Sequence, residues 1–187
     1  MTYRVVVLVS GAGTLLQSLL DSFTGTDVDI VAVGSEVPDA LGLDRARRAG
    51  VPTFVEPLVK GDDRAAWDER LADDVASFEP DLVVCAGFMK ILGPAFLARF
   101  GGRTINSHPA LLPSFPGVHG PRDALAHGVK VTGTTIFMVD AGVDTGRIID
   151  QRAVRVLDDD TVETLHERIK VAERELLVQV VRDLSQS

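Results

Sequence analysis

The sequence predicts an α/β fold: a Rossmann-like, mostly parallel sheet with helices on both faces and a mixed, partly antiparallel C-terminal edge. Three observations carry this expectation. Short β-branched runs alternate with amphipathic stretches through the first half of the chain, as in sheets whose strands are covered on both faces. The first run enters a helix through a glycine turn, Ser10-Gly11-Ala12-Gly13-Thr14. Near the C-terminus two strand-like runs are joined by a loop too short for a parallel crossover.

Taken in order, Val5 to Val9 is a buried strand, and the helix after the glycine turn places Leu15, Leu16, Leu19 and Leu20 on one side. Ile30 to Val33 is the next strand, Leu41 to Ala49 a helix stopped by Gly50, and Pro52 to Val55 a third strand. Arg64 to Phe78 is an amphipathic helix burying Trp67, Leu71 and Val75. Leu82 to Ala86 is a fourth strand, a short helix spans Pro94 to Phe100, and Arg103-Thr104-Ile105 leads into the loop Asn106-Ser107-His108. A short helix is expected over Arg122 to Ala126. Thr134 to Val139 and a run from Arg147 towards Val156 are expected to pair antiparallel. Asp160, with Glu163 three residues on, reads as the N-cap of a last helix reaching about Asp183 and burying Leu165, Ile169, Ala172, Leu176 and Val180.

Composition narrows the function classes. A chain of 187 residues with 45% hydrophobic and 25% charged residues fits one soluble domain. The net charge of −8 opposes broad binding to a nucleic-acid backbone or an anionic membrane. One cysteine forms no internal disulfide and no cysteine-rich zinc site. No signal peptide is visible, and no apolar run approaches the roughly 20 residues of a membrane helix, so a cytoplasmic location is expected.

In parallel sheets ligands bind beyond the carboxyl ends of the strands, where Ser10–Gly13, Gly87–Lys90 and Asn106–His108 are expected. Asn106 and His108 alternate onto one side of an extended segment. An amide beside an imidazole there can donate to an oxygen that gains negative charge; the same pair also reads as a loop histidine bonded to its neighbours. The glycine turn lacks the third glycine of a dinucleotide fingerprint, since Leu16 stands there, and no Gly-Lys-Ser/Thr follows. What remains is a helix N-terminus able to hold one phosphate or carboxylate, or a purely structural turn. Asp140 and Asp144 flank Gly142 in a loop too short for a calcium hand. They read as turn formers, or as a carboxylate that meets His108, favours its charged form and fixes its orientation. His119, His127 and His166 have no metal-site spacing, Cys85 is an expected core residue, and Ser107 lacks the context of a serine nucleophile.

Four segments carry a resemblance that spans nearly the whole chain: Ser10-Gly11-x-Gly13; Cys85-Ala86-Gly87-Phe88-Met89-Lys90-Ile91-Leu92; Asn106-x-His108-Pro109-x-Leu111-Leu112-Pro113; and Gly133-x-Thr135-x-Phe137-x-Val139-Asp140-x-Gly142-x-Asp144-x-Gly146. In these the chain resembles the folate-dependent formyltransferases. The resemblance implies the formyltransferase fold, one domain over 1–187 with a phosphate-binding, Rossmann-like half to about residue 100 and a folate-binding and catalytic half after it. It implies transfer of the formyl group of 10-formyltetrahydrofolate, as co-substrate, to the amine of glycinamide ribonucleotide in purine biosynthesis, with no metal. The family's catalytic Asn, His and Asp fall on Asn106, His108 and Asp144. Gly13, Thr14 and Leu15 are then expected to cradle the substrate phosphate, and Lys170 and Glu173 to contact its ribose and phosphate end. Read from the helix pattern alone, those last two belong to a solvated face. Arg64, Met89, Lys90, Ile91, Leu92, Asn106, Asp140, Ala141, Gly142, Val143 and Asp144 are expected at the folate.

The match has departures. Thr14-Leu15 stands where the family often has Ser-Asn, which removes a side-chain amide from the phosphate cradle, and Lys90 stands where arginine is common. The chain also ends at Ser187, short of a C-terminal strand segment many members carry. Within the family, a tRNA-directed member would carry a further C-terminal domain and suit this acidic charge poorly. A formyl-folate hydrolase would carry a regulatory domain ahead of the core. Sugar-nucleotide formyltransferases are usually longer. A non-catalytic nucleotide-binding domain would have no need of Asn106, His108 and Asp144. Partners are expected to be small molecules, with no nucleic acid and no membrane; homodimerisation stays open.

Overall fold

From Val5 onward the first strand is entirely shielded from solvent, the expected consequence of helices on both faces of a parallel sheet. The computed structural model describes residues 2–187. The chain forms two compact units, one running to Ile105 and one from Asn106 to Ser187.

The first unit holds β1 (Tyr3–Leu8), α1 (Thr14–Phe23), β2 (Val28–Ser35), α2 (Leu41–Arg48), β3 (Thr53–Val55), α3 (Arg64–Ser77), β4 (Leu82–Cys85) and α4 (Pro94–Phe100). β1 pairs in parallel with β2 and β4, and β2 with β3. The order is therefore β3-β2-β1-β4, followed by β5 (Thr104–His108), the strand in which the chain leaves this unit. Buried Leu15, Leu16, Leu19 and Leu20 seat α1, as their spacing predicts, and Leu16, at 0% exposure, fills the place a fingerprint glycine would occupy. On α3, Trp67, Leu71 and Val75 are buried, and Asp63 caps the helix by accepting from the N–H groups of Ala65 and Ala66.

The second unit holds the end of β5, then α5 (Gly120–His127), β6 (Val131–Met138), β7 (Ile148–Arg155) and α6 (Val162–Ser185). β6 lies between β5 and β7 and is antiparallel to β7, as the short connecting loop predicts. The expected residues of α6 are buried. Leu165 and Ile169 pack with Val156, and Leu125, Val129 and Val154 close that cluster.

Three local expectations are corrected. Asn106, Ser107 and His108 are the last residues of β5 rather than of a loop after it. The cap of α6 is Thr161, whose hydroxyl accepts from the Thr164 N–H at 3.2 Å while the Thr164 hydroxyl accepts from the Thr161 N–H at 2.9 Å. Asp160 stands outside that box because its carboxylate is engaged by the Leu157 N–H, the Thr164 hydroxyl and Arg168. Glu173, for which the helix pattern alone gives a solvated face and the resemblance a substrate contact, is 5% exposed, which overturns the first of these. No helix among the described residues is long and apolar enough to cross a membrane.

Candidate functional site

In the second unit, β5 delivers Asn106, Ser107 and His108 in sequence. Asn106 turns its amide oxygen onto the Ser107 N–H at 2.9 Å, which leaves the NH₂ end of that side chain as the donor. His108 is 4% exposed. Its Nε2 donates to the Phe115 carbonyl at 2.8 Å. Its Nδ1 lies 3.6 Å from Asp144 Oδ2, an ion-pair separation rather than a hydrogen bond. One ring nitrogen is thus hydrogen-bonded to a main-chain oxygen while the other faces a carboxylate.

Asp144 is in turn fixed by the Gly117 N–H, which donates to Oδ2 at 2.7 Å. Phe115 and Asp144 both hold left-handed backbone at φ 54, a conformation that side-chain-bearing residues adopt at a cost. Asp140 stays within its own loop, accepting from the Gly142 N–H at 2.9 Å and the Thr145 hydroxyl at 2.7 Å. Of the two loop aspartates, then, Asp144 meets the histidine and Asp140 shapes the turn. Ala141, Gly142 and Val143 between them are exposed.

On α6, burial pushes the Glu173 carboxyl above its ordinary range, offset in part by the Ser107 hydroxyl and by Lys170 and Arg174. Lys170 pairs with Glu167 at 2.7 Å.

In the first unit, Gly13 caps α1 in the left-handed region (φ 69), with no side-chain cap on the helix. A Cβ there would sit 2.6 Å from the Gly42 Cα, so only glycine fits. The first-turn N–H groups of α1 are thus uncapped by any side chain, the arrangement that favours an anion. Arg45 braces the turn from α2, donating to the Ala12 carbonyl at 2.7 Å. The Leu15 side chain is buried, so that residue offers the cradle its backbone alone.

The same unit contains an open cavity of about 640 Å³, lined among others by Arg64, Asp68, Met89, Lys90, Ile91 and Gly93. Met89 and Ile91 are 61% and 56% exposed, whereas Leu92 is buried. Arg64 stacks over Trp67 and donates to the Ile91 carbonyl. Asp68, 2% exposed, accepts from the Gly93 N–H at 2.6 Å and the Phe96 N–H at 3.0 Å.

Residues 3–181 match the protein family described as Formyl transferase. The chain belongs to that formyl transferase family. The phosphoribosylglycinamide formyltransferase of Mycobacterium tuberculosis (strain ATCC 25618 / H37Rv) is 56% identical over 183 residues, spanning 97% of this chain and 85% of that protein. That of Escherichia coli (strain K12) is 38% identical over 180 residues, spanning 95% of this chain and 85% of its own. Among solved structures, glycinamide ribonucleotide transformylase 1 from Symbiobacterium toebii superposes with a TM-score of 0.93 at 43% identity, covering 97% of this chain and 86% of that one.

Within this formyl transferase chain, sequence reasoning missed Phe115 and Gly117. They act through backbone atoms, which leave no side-chain signature; the only trace was the turn-forming run Ser114-Phe115-Pro116-Gly117. It also missed Glu36, a carboxylate 6% exposed at the end of β2.

Proposed function

We propose that this formyl transferase moves the formyl group of 10-formyltetrahydrofolate to the amine of glycinamide ribonucleotide. The observation that carries the reading is the buried His108, flanked by the Asp144 carboxylate and the Phe115 carbonyl, two residues after Asn106 on one strand.

The substrate amine attacks the formyl carbon; a C–N bond forms and the carbonyl π pair moves onto oxygen. The Asn106 NH₂ donates to that oxyanion, and the protonated ring of His108 supplies positive charge beside it. Asp144, 3.6 Å from the ring, takes up the proton released by the attacking nitrogen. The bond from the formyl carbon to the folate nitrogen then breaks, the C=O re-forms, and the departing nitrogen receives the proton that Asp144 had taken up, which restores the carboxylate. No covalent enzyme intermediate is required. Gly13, Thr14 and Leu15 bind the ribonucleotide phosphate through backbone N–H groups, and Lys170 and Glu173 engage its ribose and phosphate end. Arg64, Met89, Lys90, Ile91 and Leu92, with Asn106 and Asp140 to Asp144, bind the folate. Exposed Met89 and Ile91 give the pterin an apolar surface.

The test follows absorbance of a formyl-folate (or its deaza analogue) with glycinamide ribonucleotide, with buffer alone, and with His108→Ala. Turnover that depends on the ribonucleotide and disappears in the variant supports the reading. Acceptor-independent folate loss would replace it with a hydrolase, and a folded protein without turnover would end it.

A further inference from the structure

Glu36 lies just beyond β2, outside every role assigned above, and is 6% exposed. Both of its carboxylate oxygens accept from one group, the Ser10 hydroxyl, at 2.7 and 2.9 Å. A hydroxyl has a single proton to give. With that proton committed to the carboxylate, the Ser10 oxygen presents a lone pair in a fixed direction, and it accepts from the Met89 N–H at 2.7 Å. Donation to a charged acceptor also polarises the oxygen and strengthens the bond it accepts. Ser10 grips the same turn a second time, its own N–H donating to the Gly87 carbonyl at 3.1 Å. Burying a carboxylate is expensive, so one retained beside a lone hydroxyl marks a role beyond filling space.

Met89 opens the segment whose exposed apolar side chains line the 640 Å³ cavity. The far end of that segment is held from α3, by Arg64 on the Ile91 carbonyl and Asp68 on the Gly93 N–H. Its near end has Ser10. We propose that Glu36 and Ser10 are a positioning pair: the carboxylate orients the hydroxyl, the hydroxyl fixes the Met89 backbone, and the folate-binding edge is thereby preorganised. The inference rests on the folate assignment made above, while the pinning of Met89 stands on hydrogen bonds within the first unit. Because Ser10 also begins the glycine turn, its side chain serves the folate edge while its main chain leads into the anion cradle.

The experiment compares wild type, Glu36→Ala, Ser10→Ala and Glu36→Gln by amide hydrogen exchange across residues 87–92 and by the two Michaelis constants. Glu36→Ala and Ser10→Ala should each speed exchange at the Met89 amide and raise KM for the formyl folate about tenfold, the scale of one lost hydrogen bond. KM for the ribonucleotide and kcat should stay within about twofold, since preorganising one pocket acts on that ligand's affinity. Glu36→Gln keeps an amide oxygen for the Ser10 proton and should restore both readouts. A Met89 amide no faster in the alanine variants overturns the pair, as does a rise shared equally by both Michaelis constants, or a failure of Gln to rescue. If Glu36→Ala does not fold, Ser10→Ala breaks the same link from the other side. A wild-type protein without turnover would fail the functional reading by itself, and the exchange comparison would still decide whether Glu36 and Ser10 hold Met89.

Discussion

His108 is aimed by Phe115. The Phe115 carbonyl accepts from Nε2 at 2.8 Å, whereas Asp144 stands 3.6 Å from Nδ1 and is itself held by the Gly117 N–H. Orientation and charge thus come from different partners: a main-chain oxygen directs the ring, and the carboxylate supplies the field. One turn, containing Phe115 and Gly117, serves both.

That division predicts the outcome at position 144. Asn tolerates the left-handed backbone found there and still offers an oxygen to Gly117. Asp144→Asn should therefore keep the melting temperature close to wild type while lowering kcat by about 100-fold or more, the scale of general acid–base catalysis. Asp144→Ala should lose both activity and stability. Steady-state kinetics with thermal melts of the two variants separate these effects; near-normal turnover in Asp144→Asn would remove the role assigned to its charge.

At Gly13 the prediction concerns shape. A methyl group there would require a left-handed L-residue, costing about 1–2 kcal/mol, and would also meet the Gly42 Cα at 2.6 Å. Gly13→Ala should lower stability by more than the conformational cost alone and weaken ribonucleotide binding more than folate binding. Chemical denaturation and the two Michaelis constants would show it.

Glu173 and Asp160 should respond to pH in opposite senses. Burial raises the folded-state pKa of Glu173 above its unfolded value. Its protonated form therefore favours folding; that contribution is complete below the unfolded pKa and disappears as pH rises through the folded one. Glu173→Gln should gain more melting temperature at pH 8 than at pH 5, yet raise the ribonucleotide KM about tenfold if the carboxylate binds the ribose.

Asp160 has the reverse shift. Hydrogen bonding to Arg168, with further bonds from the Leu157 N–H and the Thr164 hydroxyl, lowers its pKa. Its contribution is present above the unfolded carboxylate value and is lost as pH falls through the folded one. Asp160→Asn should therefore melt below wild type at pH 7, with the gap narrowing in acid. A gap independent of pH would contradict the assignment.

Cys85 should be inert. Burial pushes its thiol up to about 12 and leaves it 4% exposed, so little thiolate exists near neutrality. A thiol reagent should find no reactive group in the native protein and one per chain after denaturation.

Sequence determined the elements and their kinds. The β-branched run from Val5 to Val9 reads as a strand covered on both faces, of which the structure keeps Val5 to Leu8, and the apolar spacing of Leu165, Ile169, Ala172, Leu176 and Val180 reads as one helix face; these signals are local. The short loop from Asp140 to Gly146 likewise sufficed for the antiparallel pairing of β6 with β7. Tertiary structure decided what lies far apart in the chain or acts through the backbone. Asp144, not Asp140, meets His108 because Gly117 holds it there. Glu173 is buried and meets Ser107, and Asp160 yields the cap of α6 to Thr161 because Arg168 claims its carboxylate. Glu36 reaches Met89 only through Ser10. Local periodicity records which face of an element is apolar; the partner that satisfies a buried polar atom is chosen when the chain closes on itself, and no spacing in the sequence records it.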